Sequence, residues 1–242
     1  MNSLMKSEWF KLPKKTIIGS MLLAVCISEA LAAGLYLYNL HFSNIEPSSL
    51  RYIIYGLAWF TPVFFVLYSI FSTILVSVEY EHKMWSVLLV SKQSKRNIAI
   101  VKFIIIIILM FITSIIFILT HLLFNLIING ELLNISVFLY IMIAFFIGTL
   151  AMQAIQFFIV LVIENKVYVT ALGMLIAIVN LLIQSNYMPF KIPEHIIKAQ
   201  QILSLNKVTF FDTNFFVYGL YSLLIFIVIL AISAFYIKRK EF

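Results

Sequence analysis

Long apolar runs recur along this chain of 242 residues, and they restrict its fold more than any motif does. Six runs, each about twenty residues or longer, cover residues 16–38, 52–78, 98–128, 136–163, 167–187 and 214–237. That length lets an α-helix cross a bilayer. Unpaired backbone groups are costly in lipid, and the runs lack the in/out alternation of a barrel strand. We therefore predict an all-α, polytopic membrane protein with six transmembrane helices in a single domain over residues 1–242.

Composition supports lipid as the main solvent. Apolar residues make up 63% of the chain and charged residues only 11%, and the mean hydropathy is +1.08. A soluble domain needs more polar surface than this. The net charge of +7 could indicate nucleic-acid binding, but the cations lie at the ends of the runs, where they face anionic lipid headgroups. We predict the lipid bilayer as a partner and no nucleic acid.

The distribution of Lys and Arg predicts the orientation of the chain. Six spans place both termini on one side, and 13 of the 17 Lys and Arg residues lie on that side. The other four are Arg51, Lys191, Lys198 and Lys207. Because basic loops stay in the cytoplasm, we expect a multi-pass protein of the bacterial cytoplasmic membrane with both termini cytoplasmic.

The first run has a second interpretation. A basic start, an apolar run and Ala30-Leu31-Ala32 together resemble a cleaved signal peptide. Cleavage would leave five spans and move the Lys238-Arg239-Lys240 end to the wrong side, which favours a retained span. The single Cys26 lies inside this run and excludes an intrachain disulfide.

A basic stretch at residues 79–96 connects the second and third runs and is too long to be a turn. On a helical wheel its apolar side chains share one arc, which holds Tyr80, Met84, Val87 and Leu88, with Trp85 and Leu89 beside them. Glu79, His82, Lys83 and Ser86 fall opposite. The pattern fits a short amphipathic helix at the inner membrane surface that offers one face to a cytoplasmic partner. A solvated linker with an aromatic anchor fits it equally well.

This segment also resembles a known family. The basic start is followed by two spans, by residues 78–89 (VEYEHKMWSVLL), by a basic turn at 91–96 (SKQSKR) and by a third span with Lys102 at its mouth. The order is similar to that of the membrane (permease) subunit of type-two ABC exporters, the ABCG-like architecture. The Ile- and Lys-rich spans and the start at residues 6–12 (KSEWFKL) look most like permeases of Gram-positive bacteria for lantibiotic immunity or for antimicrobial or toxin peptides.

The resemblance implies a mechanism in which another subunit supplies the energy. No phosphate-binding loop occurs among the seven glycines, so we expect no cofactor on this chain and no catalysis by it, with ATP and Mg on a partner ABC ATPase. In the family the segment between spans two and three is a coupling helix that seats in the ATPase. Carried over to this sequence, the ATPase contact comprises Glu79, Tyr80, Glu81, His82, Lys83, Met84 and Trp85. Two ATPase copies and a second permease copy, or a homologous permease, would complete the transporter, and its substrate would be an amphipathic peptide.

Two further segments fit that resemblance. The external stretch at 184–212 contains Pro193, Glu194 and an apolar stripe through Ile196, Ala199 and Leu203, which predicts a short helix before the last span. It is either a re-entrant helix, as in ABCG-like permeases, or a helix on the lipid surface. Residues 1–15 carry Met5, Trp9 and Leu12 ahead of Pro13 and predict an interfacial N-terminal helix.

Polar side chains within spans are the candidate substrate pathway, because they are costly in lipid. Glu29 lies past the middle of the first span, where it either lines a pathway or is paired or hydrated near the outer interface. The other candidates are Gln153 and Gln156, three residues apart, and Asn180 and Gln184, four apart. Hydrogen bonding between helices is the alternative role for these four.

Two other classes of protein were weighed. An intramembrane metalloenzyme needs a ligand set, but no His-Glu-x-x-His motif occurs, and His41 and His121 are expected on the outer side while His82 is on the inner. We therefore predict no metal site and no catalytic residues. A membrane scaffold or accessory subunit that transports nothing remains open as the alternative function.

Overall fold

The structure of the protein, a computed structural model, describes residues 2–42, 47–81, 95–130, 135–163, 165–182, 192 and 213–239. Within these ranges the chain forms seven helices and no strand. They are α1 (Asn2–Lys11), α2 (Lys14–Phe42), α3 (Ser49–Glu81), α4 (Lys95–Asn129), α5 (Ile135–Val162), α6 (Lys166–Leu182) and α7 (Thr213–Arg239). The predicted all-α class is confirmed for the described part of the chain.

Five of these helices are long and apolar enough to cross a membrane. They are α2, α3, α4, α5 and α7, and each covers one of the predicted runs. The run at 167–187 corresponds to α6, which is apolar but has 17 described residues. Since residues 183–191 lie outside the described ranges, the total of six spans stays a prediction.

Helix α3 packs on four other helices, which are α2, α4, α5 and α6. Its core contact is aromatic: Phe60 stacks on Phe117 of α4 with ring centroids 3.8 Å apart. Phe64 meets Phe145 of α5 edge to face at 5.0 Å. Rings bury a large area at low conformational cost, so this contact holds the centre of the bundle and places α3 between the other spans.

Helices α2 and α7 are the least buried spans of the bundle. Only 11% of the α7 span and 39% of the α2 span are buried inside the protein, against 72% for α3. Their outward side chains are apolar, for example Leu22 and Leu23 on α2 and Leu224 and Ile227 on α7. In a membrane such faces need no further cover, because lipid tails solvate them.

The N-terminal helix α1 ends at Lys11, two residues before Pro13, and α2 begins at Lys14. A proline lacks the N–H that would continue the helix ladder, so the break lies where the sequence predicts it. The buried face of α1 carries Leu4 and Glu8 and packs on α4, and Leu12, which follows the helix, is also buried. Met5 and Trp9 are partly buried beside it. The interfacial position of residues 1–15 stays a prediction.

Two predicted segments lie mainly outside the described ranges. The backbone of Glu79, Tyr80 and Glu81 continues α3 to its last residue, whereas 82–94 are not described. The coupling helix therefore stays a prediction. The same holds for the external stretch 184–212, of which only Ile192 is described, as a buried residue.

Candidate functional site

A buried polar cluster joins three of the long helices, α2, α3 and α4. Glu29 of α2 accepts a hydrogen bond from Tyr52 of α3, whose hydroxyl lies 3.1 Å from Oε2. His121 of α4 places Nδ1 2.9 Å from Oε1 and 3.1 Å from Oε2 of the same carboxyl group. All three side chains are at most 5% exposed. The carboxyl group of Glu29, the most costly polar group of its span, is thus paired.

Aromatic packing fixes the imidazole of His121 in this position. The ring of Tyr52 stacks on it with centroids 4.3 Å apart and planes 8° from parallel, and Phe117 lies 5.5 Å away. Gly56 of α3 leaves the space for the ring: a Cβ there would lie 2.4 Å from Cε1 of His121. The imidazole therefore sits directly against the α3 backbone, and only a glycine permits that approach.

The hydrogen bonds also determine which nitrogen of His121 carries a proton. A carboxylate only accepts hydrogen bonds, so Nδ1, which faces both oxygens of Glu29, is the protonated nitrogen. In the neutral ring Nε2 is then a bare acceptor. Nε2 is buried and has no hydrogen-bond partner, and His121 lines a pocket whose other walls are apolar.

A second layer of hydrogen bonds extends the cluster outward. Tyr36 of α2 packs on Tyr52 with ring centroids 5.1 Å apart and donates to Oδ1 of Asn129 at 2.7 Å. Its hydroxyl oxygen accepts from the backbone N–H of Ser48 at 2.9 Å. Asn129 in turn donates to Asn125 on the same helix at 2.8 Å. This layer fixes the C-terminal parts of α2 and α4 and the start of α3 relative to one another.

The predicted pair on the fourth span lies elsewhere, between α3, α5 and α6. Gln156 donates to the hydroxyl oxygen of Ser69 at 2.9 Å and approaches the carbonyl of Val169 at 3.4 Å. Gln153 donates to Thr149 at 3.1 Å, and its backbone carbonyl accepts from Tyr68 at 2.7 Å. Both side chains are buried among helices. Interhelical bonding accounts for Gln156, while Oε1 of Gln153 has no partner.

The remaining predicted residues fall partly or wholly outside the description. The backbone of Asn180 belongs to α6, but its side chain is not described, and neither is Gln184. Of the predicted ATPase contact, Glu79, Tyr80 and Glu81 have a described backbone only, and residues 82–85 have none. The roles of these residues stay predictions.

A buried ion cluster ties α1 to the ends of α3 and α4 that flank residues 82–94. Nζ of Lys102 lies 2.8 Å from Oε2 of Glu8 and donates to the carbonyl of Leu75 on α3, and Lys11 pairs with the other Glu8 oxygen. Burial alone raises the pKa of Glu8, but the ammonium groups of Lys102 and Lys11 outweigh it and hold the pKa below its ordinary value of 4.5. Glu8 is therefore ionised at neutral pH.

Metal ligation has no basis in this part of the chain. Among the described residues, no group of three or more His, Cys, Asp or Glu side chains could hold a metal ion. The Glu29 and His121 pair provides two potential ligands, fewer than a structural or catalytic zinc site requires. Its chemistry is hydrogen bonding and charge.

Comparison with protein families identifies the class of the protein. The family described as ABC-2 family transporter protein matches residues 4–184, about three quarters of the chain. The chain belongs to this ABC-2 transporter family. The match confirms the resemblance to a type-two ABC permease, and membership implies an ABC ATPase partner and a multi-pass place in a membrane. No curated protein sequence matches the chain.

Within the ABC-2 permease, sequence reasoning found Glu29 but missed its partners. The sequence predicts only that His121 lies near the outer side and that Tyr52 begins a span. The position of each residue along its span is the signal that could have linked them: the first and third spans are predicted to run in the same direction, and Glu29 and His121 both follow the middle of their spans. Position along a span does not show which faces of the two helices meet, because that depends on packing.

Proposed function

We propose that this ABC-2 permease is the membrane subunit of an ATP-driven exporter that moves amphipathic peptides across or out of the cytoplasmic membrane. The role would be immunity to a lantibiotic or bacteriocin, or export of a toxin peptide. The match of residues 4–184 to the ABC-2 transporter family carries the transport role. The peptide class rests on the sequence resemblance and on the apolar character of the spans.

The proposed route of force starts at residues 79–85. Helix α3 is one continuous helix from Ser49 to Glu81, with Pro62 inside it, so a push on the segment that follows would act directly on this span. Because α3 packs on four other helices, its movement would shift the whole bundle. Buried interfaces change between discrete arrangements more readily than they deform, which suits a switch between inward-open and outward-open states.

The energy source in this proposal is the partner. Two copies of an ABC ATPase bind ATP and Mg²⁺ beneath the membrane, and a second permease copy or a homologous permease completes the pathway. The chain itself performs no catalysis. A peptide with one apolar face can reach the bundle laterally from the bilayer, where α2 and α7 expose large apolar side chains such as Leu23 and Leu224.

Co-purification tests the ATPase partnership. A tagged permease is coexpressed with a candidate ABC ATPase from the same genome, and the ATPase retained on the tag is quantified. Reversal of two charges, Glu79→Lys with Glu81→Lys, is expected to reduce retention at least tenfold, since charges steer such docking and aromatic anchors hold it. Glu194→Lys, in the predicted external segment, is the matched control and is expected to leave retention unchanged.

Transport is tested in inverted vesicles that contain both subunits. A fluorescent cationic amphipathic peptide should enter the vesicles with ATP and fail to do so when the ATPase carries an inactive phosphate-binding loop. Permease that purifies without ATPase, and whose charge reversal changes nothing, would instead favour a scaffold that transports nothing. Deletion strains separate the two roles: loss of immunity raises sensitivity to added peptide, whereas loss of export lowers the peptide found outside.

A further inference from the structure

Lys102 joins three helices at one end of the bundle. It belongs to α4, its Nζ lies 2.8 Å from Oε2 of Glu8 on α1, and it donates to the backbone carbonyl of Leu75 on α3. Both charged side chains are buried. We call this arrangement the Lys102 bridge. Its acceptor on α3 is the backbone and not a side chain that can change rotamer, so the bridge attaches α4 to the α3 helix itself.

The Lys102 bridge lies in register with the aromatic contact at the centre of the bundle, where Phe60 stacks on Phe117. Fifteen residues separate Phe60 from Leu75 on α3. Fifteen also separate Lys102 from Phe117 on α4, and this number of helical residues spans about 22 Å. The two helices are thus held together at two levels. The bridge is the level nearer to residues 82–94, because it lies six residues before the end of α3 and seven after the start of α4.

Stability alone does not account for a buried cation at this position. Moving an ammonium group out of water is costly, and replacement of a buried ion pair by apolar side chains of similar volume is often neutral or stabilising. An apolar side chain, however, cannot bond a backbone carbonyl of the neighbouring helix. A charged donor makes such a bond about twice as strong as a neutral one does. The connection between helices, rather than stability, therefore explains the cation.

We propose that Lys102 is a positioning residue for transport, which holds together the ends of α3 and α4 that flank residues 82–94, so that force applied there moves both helices as one unit. Glu8 is its counter-ion and adds α1 to the same unit. The inference rests on the proposed function, because it takes the ATPase to act on residues 79–85. Without the bridge the two helix ends can separate, and part of the movement is lost before it reaches the rest of the bundle.

The first test measures how much peptide is transported for each ATP consumed. Uptake of the fluorescent peptide and ATP hydrolysis are recorded in the same inverted vesicles, and their ratio does not depend on how many complexes assemble. Lys102→Met keeps the length of the side chain but loses both bonds, and we expect it to lower the ratio about two- to thirtyfold. Lys11→Met removes the other cation that pairs with Glu8 but lies on neither flanking helix, and it should leave the ratio unchanged. An unchanged ratio in Lys102→Met would overturn the proposal.

A double variant separates a connecting role from a purely structural one. Glu8→Gln with Lys102→Met removes both buried charges, so we expect most of the stability that Lys102→Met alone loses to return. The ratio of uptake to hydrolysis should stay as low as in Lys102→Met, because the bond to α3 is still missing. Recovery of the native ratio together with stability would overturn the proposal, since the pair would then serve stability alone.

A distance measurement with Lys102 in place covers the case in which these variants fail to fold. Spin labels are attached at Ser77→Cys on α3 and Ile100→Cys on α4 in the Cys26→Ser background; the side chain of Ile100 is exposed. Their separation should be the same without nucleotide and with ATP and vanadate, because the two helix ends move together. A separation that changes between these states would overturn the proposal.

The same vesicles distinguish failure of this inference from failure of the proposed function. Native permease that shows no ATP-driven uptake would count against the proposed function. Native uptake with an unchanged ratio in Lys102→Met would count against the Lys102 bridge alone.

Discussion

At the scale of single residues, the cost of one carboxyl group in lipid explains the polar contacts among α2, α3 and α4. Glu29 is 2% exposed, and an isolated charge at that depth costs several kcal/mol. His121 and Tyr52 supply the hydrogen bonds that offset the loss of water. Each of these partners is itself held by a neighbour, His121 by the stacked ring of Tyr52 and Tyr52 by Tyr36. The three spans are therefore coupled through side chains and not through apolar contact alone.

The first prediction follows from that pairing. His121→Ala leaves the carboxyl group of Glu29 buried with one partner, and we expect a loss of about 3–5 kcal/mol in the free energy of unfolding. Adding Glu29→Gln should recover part of that loss, because an unpaired neutral amide is less costly to bury than an unpaired carboxylate. Unfolding in mixed detergent measures both variants. His41→Ala, an exposed histidine on the same helix as Glu29, is the control, and additive costs for the two substitutions would contradict the pairing.

The second prediction concerns Gly56. A Cβ at this position would lie 2.4, 2.8 and 3.0 Å from three ring atoms of His121, and the ring cannot move aside without losing Glu29 and the stack on Tyr52. Gly56→Ala should therefore destabilise the protein by about 1–3 kcal/mol. Gly34→Ala on α2 meets no atom within 4 Å and should cost nothing measurable. Thermal unfolding measures the stability of both variants. Equal melting temperatures would contradict the prediction, because they would show that a Cβ at Gly56 does not clash with the imidazole.

At the scale of helices, α1 is attached to the bundle by charge as well as by apolar packing. Glu8 is 3% exposed and Lys102 is 2% exposed, and their ion pair joins a ten-residue helix to the start of α4. Lys102 also bonds the carbonyl of Leu75, six residues before the end of α3. Helix α1 is thus fixed to the two helices that flank residues 82–94. We therefore expect a displacement of either helix end to move α1.

The third prediction is a pH dependence of that attachment. The pKa of Glu8 is lowered in the folded protein, so the ion cluster contributes its full stability above the ordinary pKa of 4.5 and loses it as the pH falls through the lower folded value. Protection of residues 2–11 against hydrogen exchange, corrected for the intrinsic rate at each pH, should therefore be high near neutral pH and fall below about pH 4.5.

Two variants check this interpretation. Glu8→Gln should raise the intrinsic-rate-corrected exchange of α1 at neutral pH and remove its acid dependence, since no carboxyl group is left to titrate there. Lys6→Gln, an exposed cation on the same helix, should keep the native profile. A pH profile that is the same in Glu8→Gln and in the native protein would rule out the ion cluster as its cause.

At the scale of the whole molecule, the strong asymmetry of basic residues predicts which side faces the cytoplasm. The fourth prediction is that residue 94 lies inside and residue 134 outside. Cys26 is the single cysteine, so Cys26→Ser provides a cysteine-free background for Ser94→Cys and Asn134→Cys. An impermeant maleimide applied to intact cells should label position 134 and spare position 94 until the cells are opened. Labelling of position 94 from outside would place this segment outside the cell, where a cytoplasmic ATPase cannot contact it.

The features that the sequence predicted correctly share one property: each is encoded by neighbouring residues of the chain. The five long apolar helices agree with the predicted runs to within a few residues at each end, because the length and hydropathy of a segment alone decide whether it spans a bilayer. The break at Pro13 is local in the same sense. The family match likewise bears out a resemblance that rested on the order of features along the chain.

Partnerships between distant residues came only from the tertiary structure. Glu29 and His121 are 92 residues apart, and Glu8 and Lys102 are joined only when α1 folds back on α4. Hydropathy sets the medium and the helices, but the rotation of each helix about its axis depends on the packing of all the others, such as the ring stack of Phe60 on Phe117. The chain by itself therefore determined a helical membrane protein, while the packed bundle decided which of its few buried polar groups meet.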